Sequence, residues 1–481
     1  MRAVQFLLNG NPCHEDDAPP TMTVLDWLRT RARLTGTKEG CAEGDCGACT
    51  IVVGRQVEAA NSENAMQYQA VNSCLMLLPQ IADCAVLTVE GLAAADGTLH
   101  PVQQAMVDAD ATQCGFCTPG FVMAMFAFHH GGEPADDTVI HDALAGNLCR
   151  CTGYRSIVEA CRRIARGPAD RFAAEGPVTA AALAGLQPSA DYRHGEQVFV
   201  LPRSLDALFT ALAQYPGALI LGGSTDLGLR VSKDREAFPA VIATRDVAEL
   251  RRIKTDGALE FGGAVTYTEA LPHLDRHFPS FADVVRRIGS RQIRNLGTIA
   301  GNLANASPIG DTIPCLMTLD ATVTLASRTG ERTLLVETFI TGYRKTALAP
   351  GEVIASIRIP FLAPGQEFAV YKLSKRFDQD ISTVIAAFRL ERQGGKVGDL
   401  RAAYGGMAER AKRAASLEAA VKGRPWTPAW LGDIEGLLAR DFTPIGDHRG
   451  GGAYRLRIAG NLLRRFQLET SLATPMRVET L

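Results

Sequence analysis

Cys41-Ala-Glu-Gly-Asp-Cys46-Gly-Ala-Cys49 decides how the first part of the chain folds. Three thiols fall within nine residues at C-x4-C-x2-C spacing, and Cys74 follows further on. That is the spacing found around plant-type 2Fe-2S clusters. Three thiolates can wrap one cluster over so short a stretch only if the backbone turns tightly and comes close to inorganic sulfide. Gly44 and Gly47 supply both properties, and their amides can donate to sulfur. A structural zinc site with four thiolates also uses paired cysteines, but the x4 spacing and the glycine-rich loop disfavour it. Cys41, Cys46, Cys49 and Cys74 are therefore the expected iron ligands, with Cys84 the rival to Cys74.

Working outward, Val4, Phe6 and Leu8 alternate into Asn9-Gly10, a hairpin signal. Thr23 to Leu34 reads as a helix, and Thr50 to Val53 and Val86 to Val89 read as strands. Residues 1–91 thus form a small β-rich unit. From residue 92 to 166 the apolar period becomes helical. Thr118-Pro119 supplies an N-cap and a first-turn proline, Gly131-Gly132 stops that helix, and Ser156 to Ala165 gives another. This region carries Cys114-Gly-Phe-Cys117 and Cys149-Arg-Cys151. Taken alone, C-x2-C with C-x-C serves zinc or a redox dithiol equally well. Beside the first constellation, it reads as a second 2Fe-2S site. Cys161 lies on the apolar face of its helix and reads as core packing.

The chain has 481 residues, which suggests about three domains. Its 46% hydrophobic and 21% charged composition is that of a folded globular protein, and wholesale disorder is excluded. A net charge of −2, with no long run of either sign, gives no electrostatic case for nucleic acid or an anionic membrane as partner. The longest apolar run of the uncharged stretch, Phe121 to Phe128, is too short to cross a bilayer. With no signal-peptide pattern at the start, twelve cysteines point to reduced thiols and a cytoplasmic location, not disulfides.

Residues 167–197, rich in Ala, Gly and Pro, read as a linker. Residues 198–372 mix strands with helices, and 373–481 combine a strand pair with the helix Arg410–Val421. Leu219, Ile220 and Leu221 run into Gly222, Gly223, Ser224, Thr225 and Asp226, a loop whose amides can cradle a phosphate or form an ordinary turn. Gly297, Thr298, Ile299, Ala300, Gly301 and Asn302 alternate small with uncharged polar residues. Such a stretch suits either a flat or anionic ligand or a packing seam. Asp311 and Lys372 are candidate ligand-facing polar residues. The nine histidines show neither an H-x-E pattern nor a triad, and most read as surface or satisfied core groups.

At Cys41 to Cys49, Gln113-Cys-Gly-Phe-Cys-Thr-Pro-Gly120, Gly146-Asn-Leu-Cys-Arg-Cys-Thr-Gly-Tyr154 and Gly297-Thr-Ile-Ala-Gly-Asn302-Leu, the chain resembles the xanthine dehydrogenase family. Its length is similar to that of the bacterial small subunit, in which two 2Fe-2S domains and an FAD domain share one polypeptide. Asp447-His-Arg and Tyr454-Arg to Phe466 resemble the family's C-terminal flavoprotein domain. The resemblance implies an α+β multidomain fold: a β-grasp ferredoxin domain, a helical-bundle 2Fe-2S domain, a two-subdomain FAD domain of the vanillyl-alcohol-oxidase type, and a small α+β cap.

It further implies a large partner subunit with a molybdenum cofactor that hydroxylates hypoxanthine and xanthine, in a heterotetramer of two small and two large subunits. Electrons would pass to the cluster held by Cys114, Cys117, Cys149 and Cys151, then to the ferredoxin-like cluster, FAD and NAD+. Gln113 matches the residue facing the partner's pterin. Leu219 to Asp226 and Gly297 to Asn302 match the family's FAD loops, with Ser307, Asp311, Ile354 and Lys372 lining the rest. Ile288 falls where animal members stack an aromatic on the flavin. Arg376-Phe-Asp-Gln-Asp380 matches a loop near the isoalloxazine whose charge affects access of NAD+ or oxygen, with Gln379 at one of its acidic positions. Two other readings accompany this one: the same electron chemistry in an aldehyde or N-heteroaromatic hydroxylase, and a zinc-stabilised binding scaffold.

Overall fold

Strand Val4–Leu8 turns back on Asn11–Glu15 through Asn9 and Gly10, whose φ angles of +49° and +84° are those of a tight primed hairpin turn. The computed structural model describes residues 3–57, 65–164 and 169–472. They divide into two units, Met1–Val247 with Gly289–Gly297, and Ala248–Ile288 with Thr298–Leu481.

In the first unit, five strands among the described residues lie in the order Asn11–Glu15, Val4–Leu8, Ala85–Leu87, Thr50–Gln56, Met66–Asn72. Val4–Leu8 and Ala85–Leu87 are parallel and the other neighbours antiparallel, the mixed pairing of a β-grasp sheet. Helix Val24–Thr30 packs on it, with Trp27 edge-on to Phe6 at 5.3 Å. Thr23 caps this helix by accepting from the Asp26 amide. The expected helix over 23–34 stops at Thr30. Arg33 enters the left-handed region at φ +60°, and the Leu34 amide reaches back to the Leu28 carbonyl at 2.8 Å, a helix-ending closure.

Helices Pro101–Asp108, Thr118–His130, Asp137–Leu144 and Arg155–Ile164 follow. In Thr118–His130, Phe121 through Phe126 and Phe128 are all buried, so this helix is enclosed on every side. Its cap is Cys117, one residue earlier than the expected Thr118, and Gly131 ends it as expected. The helices share one apolar core with the sheet: Leu7, Val52, Tyr68 and Leu87 join Met106, Phe121, Phe126 and Ile157. Cys161 is in that core, as its helical face implied.

The stretch expected as a linker is folded where it is described. Helices Arg171–Ala174 and Gly176–Ala184 place Phe172, Ala180 and Leu183 in the same core, and strand Asp191–His194 pairs with Gln197–Val200. Alanine, which thins the hydrophobic pattern here, is also the best helix former. Strands Gln197–Val200 and Leu219–Leu221 both run parallel to Ala240–Ala243. Helix Arg291–Arg294 closes the unit: Arg291 and Arg294 grip Asp142, each at 2.6 Å.

The second unit has an antiparallel sheet, with Val353–Pro360 between Ala258–Gly262 and Thr322–Ser327. Gln366–Leu373, Val384–Gln393 and Lys396–Gly405 form a second antiparallel sheet. Helices Ala415–Val421, Ile434–Asp441 and Gly452–Leu472 pack on it around Phe388, Tyr404 and Phe466. The helix expected over Arg410–Val421 begins only at Ala415, because Lys412–Arg413 pairs as a strand with Ala403 and Tyr404. No helix among the described residues is long and apolar enough to cross a membrane.

Burial alone would raise the Asp142 carboxyl, but Arg294 and Arg291 hold it below the usual carboxylate range. A carboxyl whose folded value lies below its unfolded value of about 3.9 adds stability above that pH and loses it as pH falls through the folded value. Acidification below about pH 4 is thus expected to weaken the first unit. Asp142→Ala, which strips Arg294 of its carboxylate, is expected to cost about 3 kcal/mol in urea unfolding of the holoprotein, with the acid-sensitive component reduced.

Candidate functional site

Gly44 and Gly47 hold φ angles of +83° and +67°, a region where side chains are strained, and between them the Cys41–Cys49 loop folds back on itself. The amides of Glu43 and Cys46 point at the Cys41 sulfur at 3.4 and 3.3 Å, and the Cys41 amide points at the Cys46 sulfur at 3.3 Å. Across the loop, the sulfurs of Cys49 and Cys74 lie 3.3 Å apart and both residues are buried. The four expected ligands therefore meet. Cys84 does not join them: it is buried in the core of the sheet, with its thiol on the Ala82 carbonyl at 3.2 Å. The Cys46 thiol, aided by the amides of Glu43, Cys46 and Asp45 against burial, holds the Cys41 thiol down to about 5. Hydrogen bonding to Cys49, with burial, drives Cys74 up.

The second set also converges. Cys117 pairs with Cys149 and Cys114 with Cys151. The Cys149 sulfur accepts from the amides of Cys151 and Thr152, each at 3.4 Å, and from the Thr152 hydroxyl at 3.2 Å. Against the upward push of burial, Thr152 and the Cys151 amide bring Cys149 down to about 7, whereas burial with Cys149 pushes Cys117 up to about 12. Each set offers four sulfurs with backbone N–H donors aimed at them, a donor arrangement that fits a 2Fe-2S cluster.

The two loops are hydrogen-bonded to each other. The Leu148 amide donates to the Cys46 carbonyl at 2.9 Å, and Asn147 Nδ2 donates to the Gly47 carbonyl at 3.0 Å. A Cβ at Gly47 would stand 2.2 Å from the Gly146 oxygen, one at Gly120 would stand 2.3 Å from the Gly47 oxygen, and one at Gly146 would stand 2.1 Å from Gln292 Oε1. Gln292 Nε2 donates to Asn147 Oδ1 at 2.9 Å and to Thr50 Oγ1 at 3.2 Å, which locks the junction. Thr50, Asn147 and Gln292 carry no sequence signal of this role. The chemistry of their amide and hydroxyl groups emerges only when distant segments meet.

The glycine loop after strand Leu219–Leu221 lies in the first unit. Ser224 takes φ +61°, and a Cβ at Gly223 would stand 1.7 Å from the Leu296 oxygen, so the loop is pressed flat. The amides of Gly223, Ser224 and Thr225 donate to no other described residue, which suits a phosphate cradle. Gly297 belongs to this unit as well.

In the second unit Thr298 caps helix Ile299–Asn305 by accepting from the Gly301 amide at 2.8 Å. Asn302 accepts from the Thr312 hydroxyl at 2.6 Å, and the Ser307 hydroxyl accepts from the Ile309 amide at 3.4 Å. Asp311 and Lys372 meet as a buried ion pair at 2.7 Å, with Ser382 on the other carboxylate oxygen and the Arg287 carbonyl on the ammonium. Ile354 is buried in the main core and Ile288 packs against its edge. In the 376–380 loop, Asp380 accepts from the amides of Arg376 and Ile381 at 2.8 and 3.0 Å, while Gln379 takes φ +50°. Arg287 lies 4.6 Å over the exposed Phe377 ring and donates to that residue's carbonyl.

Four family profiles match the chain in sequence. They are a 2Fe-2S iron-sulfur cluster binding domain over residues 6–78 and a 2Fe-2S binding domain over 88–162. An FAD binding domain in molybdopterin dehydrogenase matches 192–362, and a CO dehydrogenase flavoprotein C-terminal domain matches 369–470. This is the domain set of the molybdenum hydroxylase iron–sulfur/flavin subunit.

Among molybdenum hydroxylases, the chain is 31% identical to a xanthine dehydrogenase/oxidase of Gallus gallus over 91% of this chain and 38% of that protein. It is 31% identical to a xanthine dehydrogenase of Emericella nidulans over 96% of this chain and 38% of that one. The chain thus spans well under half the length of these curated relatives. Of solved structures, a carbon monoxide dehydrogenase from Hydrogenophaga pseudoflava aligns with a TM-score of 0.53 and 26% identity, covering 56% of this chain and 94% of that chain. A quinoline 2-oxidoreductase from Pseudomonas putida 86 aligns with a TM-score of 0.53 and 27% identity, covering 58% and 98%.

Asp311→Asn is expected to leave the Lys372 ammonium buried without its charge partner and to cost about 3–5 kcal/mol in chemical unfolding. Gly47→Ala, which forces a methyl group into the junction at a positive φ, is expected to lower both melting temperature and bound iron, read by a thermal melt and iron analysis.

Proposed function

We propose that this chain is the cytoplasmic electron-transfer subunit of an NAD-dependent xanthine dehydrogenase. It would work with a separate large subunit that carries the molybdenum cofactor, two of each chain forming the complex. The observation that carries the redox reading is the direct hydrogen bond between the two cysteine loops, from the Leu148 amide, next to Cys149, to the carbonyl of Cys46 itself. Two four-sulfur sites joined through main chain are what a short electron path requires. Xanthine as the substrate is supported by the curated relatives, named xanthine dehydrogenases, that match 91% and 96% of this chain.

Cys41, Cys46, Cys49 and Cys74 would hold one cluster, and Cys114, Cys117, Cys149 and Cys151 the other. The FAD contacts would be Leu219 to Asp226 and Gly297 to Asn302, with Ile288, Ser307, Asp311, Ile354 and Lys372. When bound, the clusters relay single electrons and FAD pairs them for hydride transfer to NAD+. The chain's own residues set the direction. Cys49 and Cys74 are buried, whereas Cys114 and Cys151 are exposed beside the exposed Phe116, Leu148 and Tyr154. An apolar rim around an accessible cluster suits docking of the molybdenum subunit, with the exposed Gln113 at its edge. Asp311 would act through Lys372, holding the ammonium in place while burial keeps water from the pair.

A second reading, the same role in another molybdenum hydroxylase, is favoured by the solved structures, which are named for carbon monoxide and quinoline. A substrate screen of the complex with xanthine, an aldehyde and quinoline separates the two. The dithionite-reduced chain is expected to give two distinct 2Fe-2S EPR signals and to oxidise NADH with an artificial acceptor, without hydroxylating xanthine alone. Cys149→Ala is expected to remove one signal and half the iron while NADH oxidation persists. A colourless, zinc-containing protein would overturn the redox reading in favour of a scaffold.

A further inference from the structure

Three of the nine histidines, at positions 100, 129 and 130, gather around one carboxylate, that of Asp170. His100 caps helix Pro101–Asp108, His129 and His130 end helix Thr118–His130, and Asp170 caps helix Arg171–Ala174. Asp170 Oδ2 lies 2.6 Å from His100 Nε2, 2.8 Å from His130 Nε2 and 3.9 Å from His129 Nε2. All four side chains are nearly or wholly buried, at 2% to 9% exposure. Among the described residues no Lys or Arg pairs with this carboxylate. The neighbouring Arg171 turns away to the Gly91 carbonyl and lies 4.4 Å over the Phe172 ring. Phe126 stands 4.4 Å from the His130 ring and 5.3 Å from His100, and Phe172 stands 5.7 Å from His100, so the cluster is walled by aromatic carbon. A buried carboxylate in such a setting calls for a positive partner.

The tautomers show what kind of partner. His129 Nδ1 faces the Ile164 carbonyl at 2.9 Å, and a carbonyl only accepts, so Nδ1 carries the hydrogen. The lone pair of Nε2 therefore points toward the Asp170 oxygen, an arrangement that is repulsive unless a cation stands between them. A histidine whose second nitrogen donates to a backbone carbonyl is also the habitual form of a metal ligand. His100 is different. Its Nδ1 accepts from the Val102 amide at 3.2 Å, so Nε2 carries the hydrogen and donates to Asp170. In a tetrahedral site with bonds of about 2.1 Å, neighbouring ligand atoms stand about 3.4 Å apart. Measured from Asp170 Oδ2, His130 Nε2 at 2.8 Å and His129 Nε2 at 3.9 Å bracket that value.

The geometry points to a divalent transition-metal site of the zinc type, with His129 Nε2, His130 Nε2 and Asp170 Oδ2 as ligands and His100 as the hydrogen-bonding residue that orients Asp170. Binding displaces the hydrogen that His130 Nε2 shares with Asp170, either to Nδ1 of the same ring or to solvent. The ion would fasten the segment that follows the helical domain to the far end of the helix whose other end is capped by Cys117. It is independent of the purine reading, since it uses none of the cysteines or FAD loops.

The test is calorimetric titration of chelator-washed holoprotein, its clusters and FAD in place, with zinc alone. The wild type is expected to take up one equivalent. His129→Ala and Asp170→Asn are each expected to weaken binding at least a hundredfold, and asparagine still caps the helix at 170. His100→Asn is expected to weaken binding about tenfold to a hundredfold, the usual effect of losing an orienting partner. Iron content, flavin content and melting curve report whether each variant is folded. No uptake by the wild type, or equal uptake by folded His129→Ala, overturns the proposal. Should a variant lose iron or flavin, zinc-edge anomalous diffraction from wild-type crystals decides: a peak among these three side chains supports it, and its absence overturns it.

Discussion

Three glycines, Gly47, Gly120 and Gly146, let three stretches of backbone come into contact with no side chain between them. Everything about the iron–sulfur half of the molecule depends on that approach. It allows the Leu148 amide to reach the Cys46 carbonyl, sets helix Thr118–His130 against the first loop, and leaves room for Asn147 and Gln292 to donate to the Gly47 carbonyl and to Asn147 Oδ1 and Thr50 Oγ1. Backbone amides buried in such a place must find partners or impose a desolvation cost on the fold. The Leu148 and Thr50 amides find the Cys46 and Gly47 carbonyls, Asn147 Nδ2 adds a second bond to the Gly47 carbonyl, and Gln292 Oε1 is left without a partner among the described residues. Stacking cysteine loops in this way serves electron transfer because the intervening matter is main chain, which is rigid.

The second unit solves a similar problem with charge. Lys372 on strand Gln366–Leu373 and Asp311 beside helix Thr312–Thr318 are deeply buried, and the hydroxyl of Ser382 and the Arg287 carbonyl complete their hydrogen bonding. A buried pair of this kind adds little net stability over an apolar substitute, but it penalises any arrangement in which the partners part. It therefore specifies where Gln366–Leu373 sits relative to the loop that follows helix Ile299–Asn305. Arg287, held to the carbonyls of Lys372 and Phe377, extends the same control to the 376–380 loop.

The chemistry-bearing elements were legible in the sequence wherever short-range spacing encodes them. Both cysteine sets, the Asn9-Gly10 hairpin and the enclosed helix after Cys117 follow from local pattern, and the structure brings each cysteine set together. Cys74 was separable from Cys84 only by preference in the sequence, whereas in three dimensions one thiol faces Cys49 and the other a sheet core. What was not legible depends on distant segments meeting. Residues 167–197 looked like a linker because alanine carries little hydrophobic signal, yet Phe172 and Leu183 enter the core. The grip of Arg291 and Arg294 on Asp142 spans about 150 residues of chain and leaves no local trace. The histidines gave no motif because their proximity arises from three separate helix ends.

The core that contains Leu7, Val52 and Tyr68 on one side and Met106, Phe121 and Ile157 on the other has a further consequence. One face of the ferredoxin-like sheet completes the interior of the helical domain, while its other face packs on helix Val24–Thr30 in a separate core. Severing the polypeptide near residue 91 would lay bare greasy faces on both fragments, and each would be driven to clump or unravel.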